Sequence, residues 1–171
     1  NFINRVVVLT NKYYDGIIPK IETRLPEDEK IIDQIGIIAK KIGSSIEKYK
    51  FREASQNLIQ IARSGNKYLA EKEPWKLIDK DPKRVSEIIY TALQISACLA
   101  IVSEPFLPFT YEKLLSILNI ESLKLSWNDA FMKNDLIPSG HQISKAKLLF
   151  KKIEDIEIEN QRLKLVNNKK I

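Results

Sequence analysis

Apolar residues recur at helical spacing from the first residues of the chain. The first apolar face consists of Phe2, Val6, Leu9 and Tyr13. These positions are three or four residues apart, the spacing at which side chains share one face of an α-helix. The pattern stops at Asp15-Gly16, so we predict that a first helix ends there. Because the chain starts without Met and already inside this pattern, we expect it to be a fragment of a larger protein.

Two longer helices are predicted next. The second opens at LPEDEK. A proline is tolerated in the first turn because the backbone N–H that it lacks would have no partner within the helix, and three acids suit the positive end of the helix dipole. Its predicted core residues are Ile31, Ile35, Ile38, Ile42, Ile46 and Tyr49. The third helix runs from about Phe51 to Glu73-Pro74, where the proline stops it. Its predicted inward positions are Ala54, Leu58, Ile61 and Tyr68.

A fourth helix is predicted to start with Asp81 as its N-cap and Pro82 in its first position. Through Val102 it is apolar on most of its circumference, which is typical of a helix at the centre of a bundle. Its most apolar run, from Ile88 to Val102, is too short for a comfortable membrane span and contains Thr91. We therefore expect this helix to be buried in protein.

The rest of the chain is less periodic. Thr110 is the predicted cap of a short fifth helix, and the later stretch LSWNDAFMKNDLIPSGHQIS predicts irregular structure. A last helix is expected from Lys145 to Leu165. Together the patterns predict an all-α fold, an antiparallel bundle of about five helices with an irregular segment and a C-terminal helix.

The turn Pro138-Ser139-Gly140 is the candidate domain boundary. On this division residues 1–137 form the helical bundle, and residues 138–171 form a return segment with a basic tail helix. The tail carries eight Lys or Arg against four Asp or Glu from His141 onward, within a formal net charge of +6 for the chain. This surplus is compatible with a polyanionic partner but does not identify one.

Composition favours an ordinary globular domain, with 44% hydrophobic and 29% charged residues. The single cysteine, Cys98, excludes an internal disulfide, so a cytoplasmic location is expected. Cys98 lies in the most apolar helix and is interpreted as a buried, unreactive thiol. His141 is the one histidine of the sequence and no Cys cluster accompanies it, so we predict no metal site. The acidic runs PEDE and EDIEIE are explained by helix-start electrostatics and a solvated face.

Trp75 follows Pro74 directly at the end of the third helix, among charged neighbours. Its ring can cap the core, or it can present a face on which a nucleic-acid base stacks, and the pattern alone favours neither. Pro74 restrains the chain direction, and Lys72 and Lys76 add positive charge nearby. These neighbours favour stacking modestly.

Asn1 and Arg5 are one helical turn apart and point the same way. They can form part of an ordinary hydrogen-bonded helix surface. However, Asn is a poor helix former in a helix interior, which suggests a reason other than local stability. Asn and Arg together also supply the donors and the acceptor that can read a base edge. We therefore treat the two residues as a candidate recognition pair.

Three segments of the chain resemble the anticodon-binding helical domain of the class I methionyl-tRNA synthetases. They are NFINRVVVLTNKYYDGIIP, FREASQNLIQIARSGNKYLAEKEPWKL and EPFLPFTYEKLLSIL. The resemblance extends from Asn1 to about Asp155. Its most specific feature is the pair Asn1 and Arg5 combined with the later pattern N-x-Y-x-x-x-x-x-P-W, which begins at Asn66.

By this resemblance Trp75 corresponds to the tryptophan that stacks on the first anticodon base, a cytosine. Asn1 and Arg5 correspond to first-helix residues that read anticodon edges. Pro74 corresponds to the turn that presents the tryptophan and can offer its own carbonyl to the base. The implied function is recognition of the CAU anticodon of tRNA(Met) as part of a methionine-tRNA ligase.

The family's catalytic signatures, HIGH and KMSKS, are absent from this sequence, so we predict no catalytic residues and no cofactor within it. The resemblance implies that ATP with magnesium, and zinc as a further candidate, belong to the catalytic domain of a longer parent chain. The implied partners are the tRNA(Met) anticodon loop and that catalytic domain in cis, without a membrane. A homodimeric parent is one arrangement that the resemblance allows.

Two alternatives stay open. The segment can be the equivalent bundle of a valyl, leucyl, isoleucyl or cysteinyl enzyme, although the Pro-Trp and Asn/Arg pairs argue against this. It can also be a helical protein-interaction module in which Trp75 anchors an interface and the basic tail is solvated. A protein-interaction module is expected to have no RNA affinity beyond a salt-sensitive background. Loop-specific RNA binding therefore distinguishes an anticodon-binding domain from an interaction module.

Overall fold

A computed structural model describes residues 1–132, 135–150 and 152–167. Its helical elements are α1 (Phe2–Tyr14), α2 (Pro26–Glu47), α3 (Phe51–Lys72), α4 (Pro74–Leu77), α5 (Pro82–Ser103), α6 (Pro108–Leu118), a 3-10 turn (Glu121–Leu123), α7 (Asp129–Met132) and α8 (Asp155–Asn167). Within the described ranges there is no strand, and an isolated antiparallel bridge joins Ile17 to Gln142. The predicted all-α fold is confirmed.

Helix α5 lies at the centre of the bundle, as predicted. Every residue from Glu87 to Ser103 is buried, and α1, α2, α3 and α6 all pack against this helix. The Asp81 carboxylate accepts a hydrogen bond from the Arg84 backbone amide at 2.9 Å, which confirms the predicted N-cap. By length and composition α5 also qualifies as a membrane span, but its apolar surface is buried inside the protein.

Helix α3 matches its predicted pattern, whereas α2 ends earlier than predicted. All four predicted inward positions of α3 are buried. In α2 the predicted core residues Ile35, Ile38 and Ile42 are buried, and Ile31 and Ile46 are half-buried.

Tyr49 was wrongly predicted to be a core residue of α2. Its side chain is 82% exposed, because α2 ends at Glu47 and Tyr49 adopts a left-handed conformation with φ 58°. The turn there is a helix C-cap, in which the Lys50 amide donates to the Ser45 carbonyl at 2.8 Å.

Helix α1 is rotated relative to the predicted face. Its buried residues are Phe2, Ile3, Val6, Val7 and Thr10, whereas Leu9 and Tyr13 are half-buried. The reason is that α1 contacts both α3 and α5, so the buried face points between two helices rather than at one.

Two predicted boundaries near the C-terminus were wrong. Thr110 is not a cap, because the N-cap of α6 is Leu107, three residues earlier, and Pro108 occupies the first helical position, where its fixed φ suits the helix. The last helix starts at Asp155 rather than Lys145. Ahead of it, the amides of Ile143 and Ser144 donate to the carbonyls of Gly16 and Ile117, so these two residues are held against the bundle as non-helical chain. The boundary after residue 137 stays a prediction.

Candidate nucleic-acid interface

The first predicted site residues lie at the start of α1. Asn1 is the exposed N-cap residue, and its carbonyl accepts a hydrogen bond from the Arg5 amide at 3.0 Å. Asn is favoured at an N-cap, so the argument from its poor propensity in a helix interior is wrong for this position. The Asn1 side chain makes no capping hydrogen bond. Its amide group is therefore not engaged in holding the helix end.

The start of α1 is placed by a close contact with α3. The Phe2 side chain is only 2% exposed and packs directly on the backbone of Gly65. A Cβ atom at Gly65 would lie 2.6 Å from two carbons of the Phe2 ring, so any larger residue would push the ring away. Gly65 thus allows the first turn of α1, with Arg5, to approach the C-terminal half of α3.

Trp75 lies in a short helical turn between α3 and α5. Helix α3 ends because Glu73 adopts a left-handed conformation with φ 43°, and Pro74 then occupies the first position of α4. The Lys76 amide donates to the Glu73 carbonyl at 2.8 Å, which closes the turn. Pro74 is buried and Trp75 is half-buried against the core. The turn is therefore anchored by the buried Pro74, and part of the Trp75 indole ring stays accessible.

The structure brings Arg5 and Trp75 together. The guanidinium carbon of Arg5 lies over the indole ring, 5.0 Å from the ring centroid, which is cation-π geometry. The sequence pattern placed Arg5 in the first helix and Trp75 just after the third, and had no means of pairing them. Asn1 is one turn from Arg5, and Pro74 is next to Trp75, so the four predicted site residues belong to the two segments that this contact joins.

The two lysines beside Trp75 are paired with carboxylates. Lys72 Nζ lies 2.6 Å from Glu27 Oε1, and Lys76 Nζ lies 2.8 Å from Glu73 Oε1. From the sequence both lysines were predicted to make the surroundings of the ring positive. In the structure Arg5 is the cation placed over the ring, and each lysine is offset by an acid.

A buried ion cluster, missed by the sequence analysis, lies beneath this end of α3. Asp28 in the first turn of α2 is completely buried. Its carboxylate accepts hydrogen bonds from the Tyr68 hydroxyl at 2.6 Å and from the Arg84 guanidinium at 2.5 and 3.0 Å. Arg84 also reaches Glu27 at 2.7 Å and Glu87 at 3.2 Å. The cluster joins α2, α3 and α5 at one point.

A sequence signal for Asp28 did exist. Asp28 belongs to the series of buried α2 residues Asp28, Ile32, Ile35, Ala39 and Ile42. These positions are four or three residues apart, so helical periodicity alone places Asp28 on the core face. The presence of three acids at a helix start favoured an electrostatic explanation instead. A buried carboxylate needs charged or hydrogen-bonding partners, and Arg84 and Tyr68 supply them.

The cluster shifts the titration of its members. Burial, and then the hydrogen bond to Asp28, raise the pKa of the Tyr68 phenol well above its usual value. Burial disfavours charge on Arg84, but the hydrogen bonds and attraction to Asp28 outweigh this and raise the pKa of the guanidinium. Tyr68 is therefore a neutral donor and Arg84 a permanent cation under ordinary conditions.

Comparison with known proteins assigns the family. A family model described as the anticodon binding domain of methionyl tRNA ligase matches residues 18–170. The chain belongs to this family. The matched range includes Pro74 and Trp75, whereas Asn1 and Arg5 precede it.

Curated relatives of this anticodon-binding domain are much longer than the chain. A methionine-tRNA ligase of Christiangramia forsetii is 53% identical over 169 residues, and one of Flavobacterium psychrophilum is 51% identical over 165 residues. Each match covers 96% of this chain and 24% of the relative. The chain therefore spans about a quarter of the length of the curated relatives that it matches.

Solved structures share the fold of this domain. The apo form of Mycobacterium tuberculosis methionyl-tRNA synthetase superimposes with a TM-score of 0.81 at 17% identity, covering 90% of this chain and 31% of that one. The same enzyme bound by methionyl-adenylate gives a TM-score of 0.76 at 16% identity, covering 88% and 30%. At such low identity these neighbours show the fold and not the site.

Cys98 and His141 are the two residues that were considered for catalysis. In this anticodon-binding domain Cys98 is packed in the core and His141 is hydrogen-bonded to α6. Cys98 is buried, as predicted, and burial raises the pKa of its thiol to about 12. The His141 Nε2 lies 2.9 Å from the Leu118 carbonyl oxygen, which ties the return segment to α6. Among the described residues there is no cluster of three or more His, Cys, Asp or Glu able to hold a metal ion.

Proposed function

We propose that this chain is the module with which a methionine-tRNA ligase recognises the CAU anticodon of tRNA(Met). Family membership supports a role at the anticodon. The observation that carries the proposal is the contact between Arg5 and Trp75, because it joins a cation with several donors to an aromatic ring at one end of the bundle. Sequence-specific RNA recognition commonly combines these two elements on an unpaired loop base.

In this proposal the half-buried Trp75 ring is the stacking platform for the first anticodon base. Its buried part and Pro74 hold the ring in place, so little side-chain freedom is lost when a base stacks. Stacking of a base on an aromatic side chain contributes about 1–3 kcal/mol and is tolerant of base identity. Stacking therefore supplies affinity, and other groups have to supply the preference for cytosine.

Asn1 and Arg5 are the proposed readers of the base edge. Cytosine offers an amino donor and ring acceptors. The Asn1 amide can both donate and accept, and Arg5 donates from a planar fork. The Pro74 carbonyl is a further candidate acceptor for the cytosine amino group. These groups belong to two elements, the first turn of α1 and the turn of α4, so base identity is read where the two elements meet.

Aminoacylation belongs to the parent protein in this proposal. The name of the curated relatives and the methionyl-adenylate bound by the M. tuberculosis enzyme support a parent that uses ATP. A catalytic domain in cis would hold ATP with magnesium, and zinc where present. A cytoplasmic location and a homodimeric parent are further parts of the proposal.

The test is binding of this chain to a CAU anticodon stem-loop and to a GAU control at matched salt. We expect tighter binding to CAU, and loss of that preference in the variant Trp75→Ala. Equal binding of both loops that does not depend on Trp75 would reduce the interaction to electrostatics. Absence of binding would contradict the proposal for the isolated chain and favour the protein-interaction module.

A further inference from the structure

We infer that Glu27, Asp28 and Arg84 form a clamp that positions Trp75 for the anticodon base. We call these three residues the Arg84 clamp. The inference rests on the proposed function and adds positioning residues to it. None of the three is placed in contact with RNA, and each acts through the segment that carries Trp75.

The first observation is that one carboxylate oxygen of Glu27 pairs with cations on both sides of the segment that carries Trp75. Glu27 Oε1 lies 2.6 Å from the Nζ of Lys72 and 2.7 Å from a guanidinium nitrogen of Arg84. Lys72 is the last residue of α3, and Arg84 lies in the first turn of α5. The chain that leaves α3, forms the Trp75 turn and enters α5 is therefore joined at both ends to the same atom of α2.

The second observation is the burial of Asp28. Its side chain is fully buried, and its hydrogen bonds come from α3 through Tyr68 and from α5 through Arg84. A buried carboxylate that loses its partners is costly, so the mutual placement of these helices is strongly restricted. A half-exposed pair such as Lys72 and Glu27 could not impose this restriction alone.

The third observation is that the segment between the two ends is itself held by hydrogen bonds. The amides of Lys80 and Asp81 both donate to the Leu77 carbonyl, at 2.9 and 2.8 Å. Asp81 in turn caps α5 through the Arg84 amide. A shift of Arg84 would therefore be transmitted to the turn of α4 that carries Trp75.

Positioning matters because Trp75 and Arg5 are placed by different contacts. Arg5 is placed by α1 through Phe2 and Gly65, whereas the segment that carries Trp75 is held at both ends by the Arg84 clamp. The 5.0 Å approach of the two groups requires both. A clamp that only stabilised the fold would leave anticodon affinity unchanged at temperatures where the variant is folded.

The experiment compares Glu27→Ala with the matched control Glu22→Ala. Both glutamates are exposed enough to tolerate replacement, and both pair with a cation in the first turn of α5, Glu27 with Arg84 and Glu22 with Lys83. Each variant removes one negative charge, which by itself strengthens attraction to RNA. A weaker complex therefore cannot be explained by the charge change.

We expect Glu27→Ala to weaken binding of the CAU stem-loop by roughly threefold to tenfold, in the lower part of the range measured for residues coupled in one network. Glu22→Ala should bind at least as tightly as the wild type. In a Trp75→Ala background the effect of Glu27→Ala should disappear, because the group that it positions is gone. Asp28→Asn, measured well below its unfolding temperature, should weaken CAU binding in the same Trp75-dependent way.

Three results would overturn the inference. They are equal CAU affinity of Glu27→Ala and Glu22→Ala, an effect of Glu27→Ala that persists without Trp75, and wild-type affinity of folded Asp28→Asn. If the wild type itself does not prefer CAU, the proposed function fails instead. The clamp is then tested by acrylamide quenching of Trp75 fluorescence in a Trp127→Phe background. Greater quenching in Glu27→Ala supports the clamp, and unchanged quenching overturns it.

Discussion

The two ends of helix α3 both carry aromatic residues at a turn, but they surround them very differently. At the N-terminal end, Tyr49 and Phe51 are 82% and 58% exposed and contact each other edge to face at 6.3 Å. At the C-terminal end, Trp75 is half-buried, is contacted by Arg5 and follows Lys72, which pairs with Glu27 of the Arg84 clamp. Both turns use a non-glycine residue in the left-handed conformation, Tyr49 and Glu73.

The difference shows what distinguishes a binding site from a surface aromatic pair. An exposed ring that only touches another ring keeps its freedom to move, and ordering it on binding costs entropy. The Trp75 ring is already held by the core and by Arg5 before any ligand arrives. Preorganisation of this kind lets a stacked base contribute most of its favourable interaction to affinity.

The largest expected effect is a difference in RNA affinity between variants at the two ends of α3. Trp75→Ala should weaken binding of a CAU anticodon stem-loop by about 1–3 kcal/mol, because the stacking platform is removed. Phe51→Ala should change the affinity less than about twofold, since its ring lies at the far end of a helix 22 residues long. Fluorescence anisotropy with labelled stem-loops measures both. Similar losses in the two variants would show that exposed aromatics in general, and not the Trp75 site, bind the RNA.

A smaller effect should follow from disturbing how α1 reaches Trp75. Gly65→Ala forces the Phe2 ring to move, with an overpacking cost of about 1–3 kcal/mol that exceeds the gain of up to about 1 kcal/mol in helix propensity. Urea unfolding should therefore show a small loss of stability. Because the first turn of α1 must shift, CAU binding should also weaken.

The control for that variant is Gly36→Ala in α2. A Cβ atom there would lie 3.7 Å from the Phe131 backbone, an ordinary contact. This variant should be at least as stable as the wild type and bind RNA unchanged. Unaltered RNA binding by Gly65→Ala would show that Arg5 does not depend on the contact between Phe2 and Gly65.

The smallest effect concerns the other turn. Tyr49→Gly should raise the free energy of unfolding by about 1 kcal/mol, because glycine adopts the left-handed conformation without the penalty that tyrosine incurs. Lys48→Gly, at a neighbouring position with φ −93°, should not stabilise the protein. Neither variant should alter CAU binding. A loss of binding in Tyr49→Gly would assign an RNA contact to the end of α3 that we regard as unused.

Sequence reasoning worked best where neighbouring residues decide the outcome. Asp81 and Pro82 set the start of α5, and the apolar stripe of α3 is buried as its spacing predicts. Prediction from sequence failed where contacts with residues distant in the chain decide the outcome. Asp28 has the spacing of a core residue, yet its burial is tolerable only because Arg84 and Tyr68 lie opposite. The late start of α8 goes with another distant contact, since the amides of Ile143 and Ser144 donate to the carbonyls of Gly16, just after α1, and Ile117 in α6.

The sequence by itself determined the all-α class, the start and central place of α5, and the end of α3 at Pro74-Trp75, because backbone preference and apolar periodicity are properties of consecutive residues. The tertiary structure decided that Arg5 lies over Trp75, that Asp28 is buried and that Tyr49 is exposed. These outcomes depend on which helix faces meet and at what rotation. Side-chain packing between distant segments fixes that rotation, and no local pattern contains it.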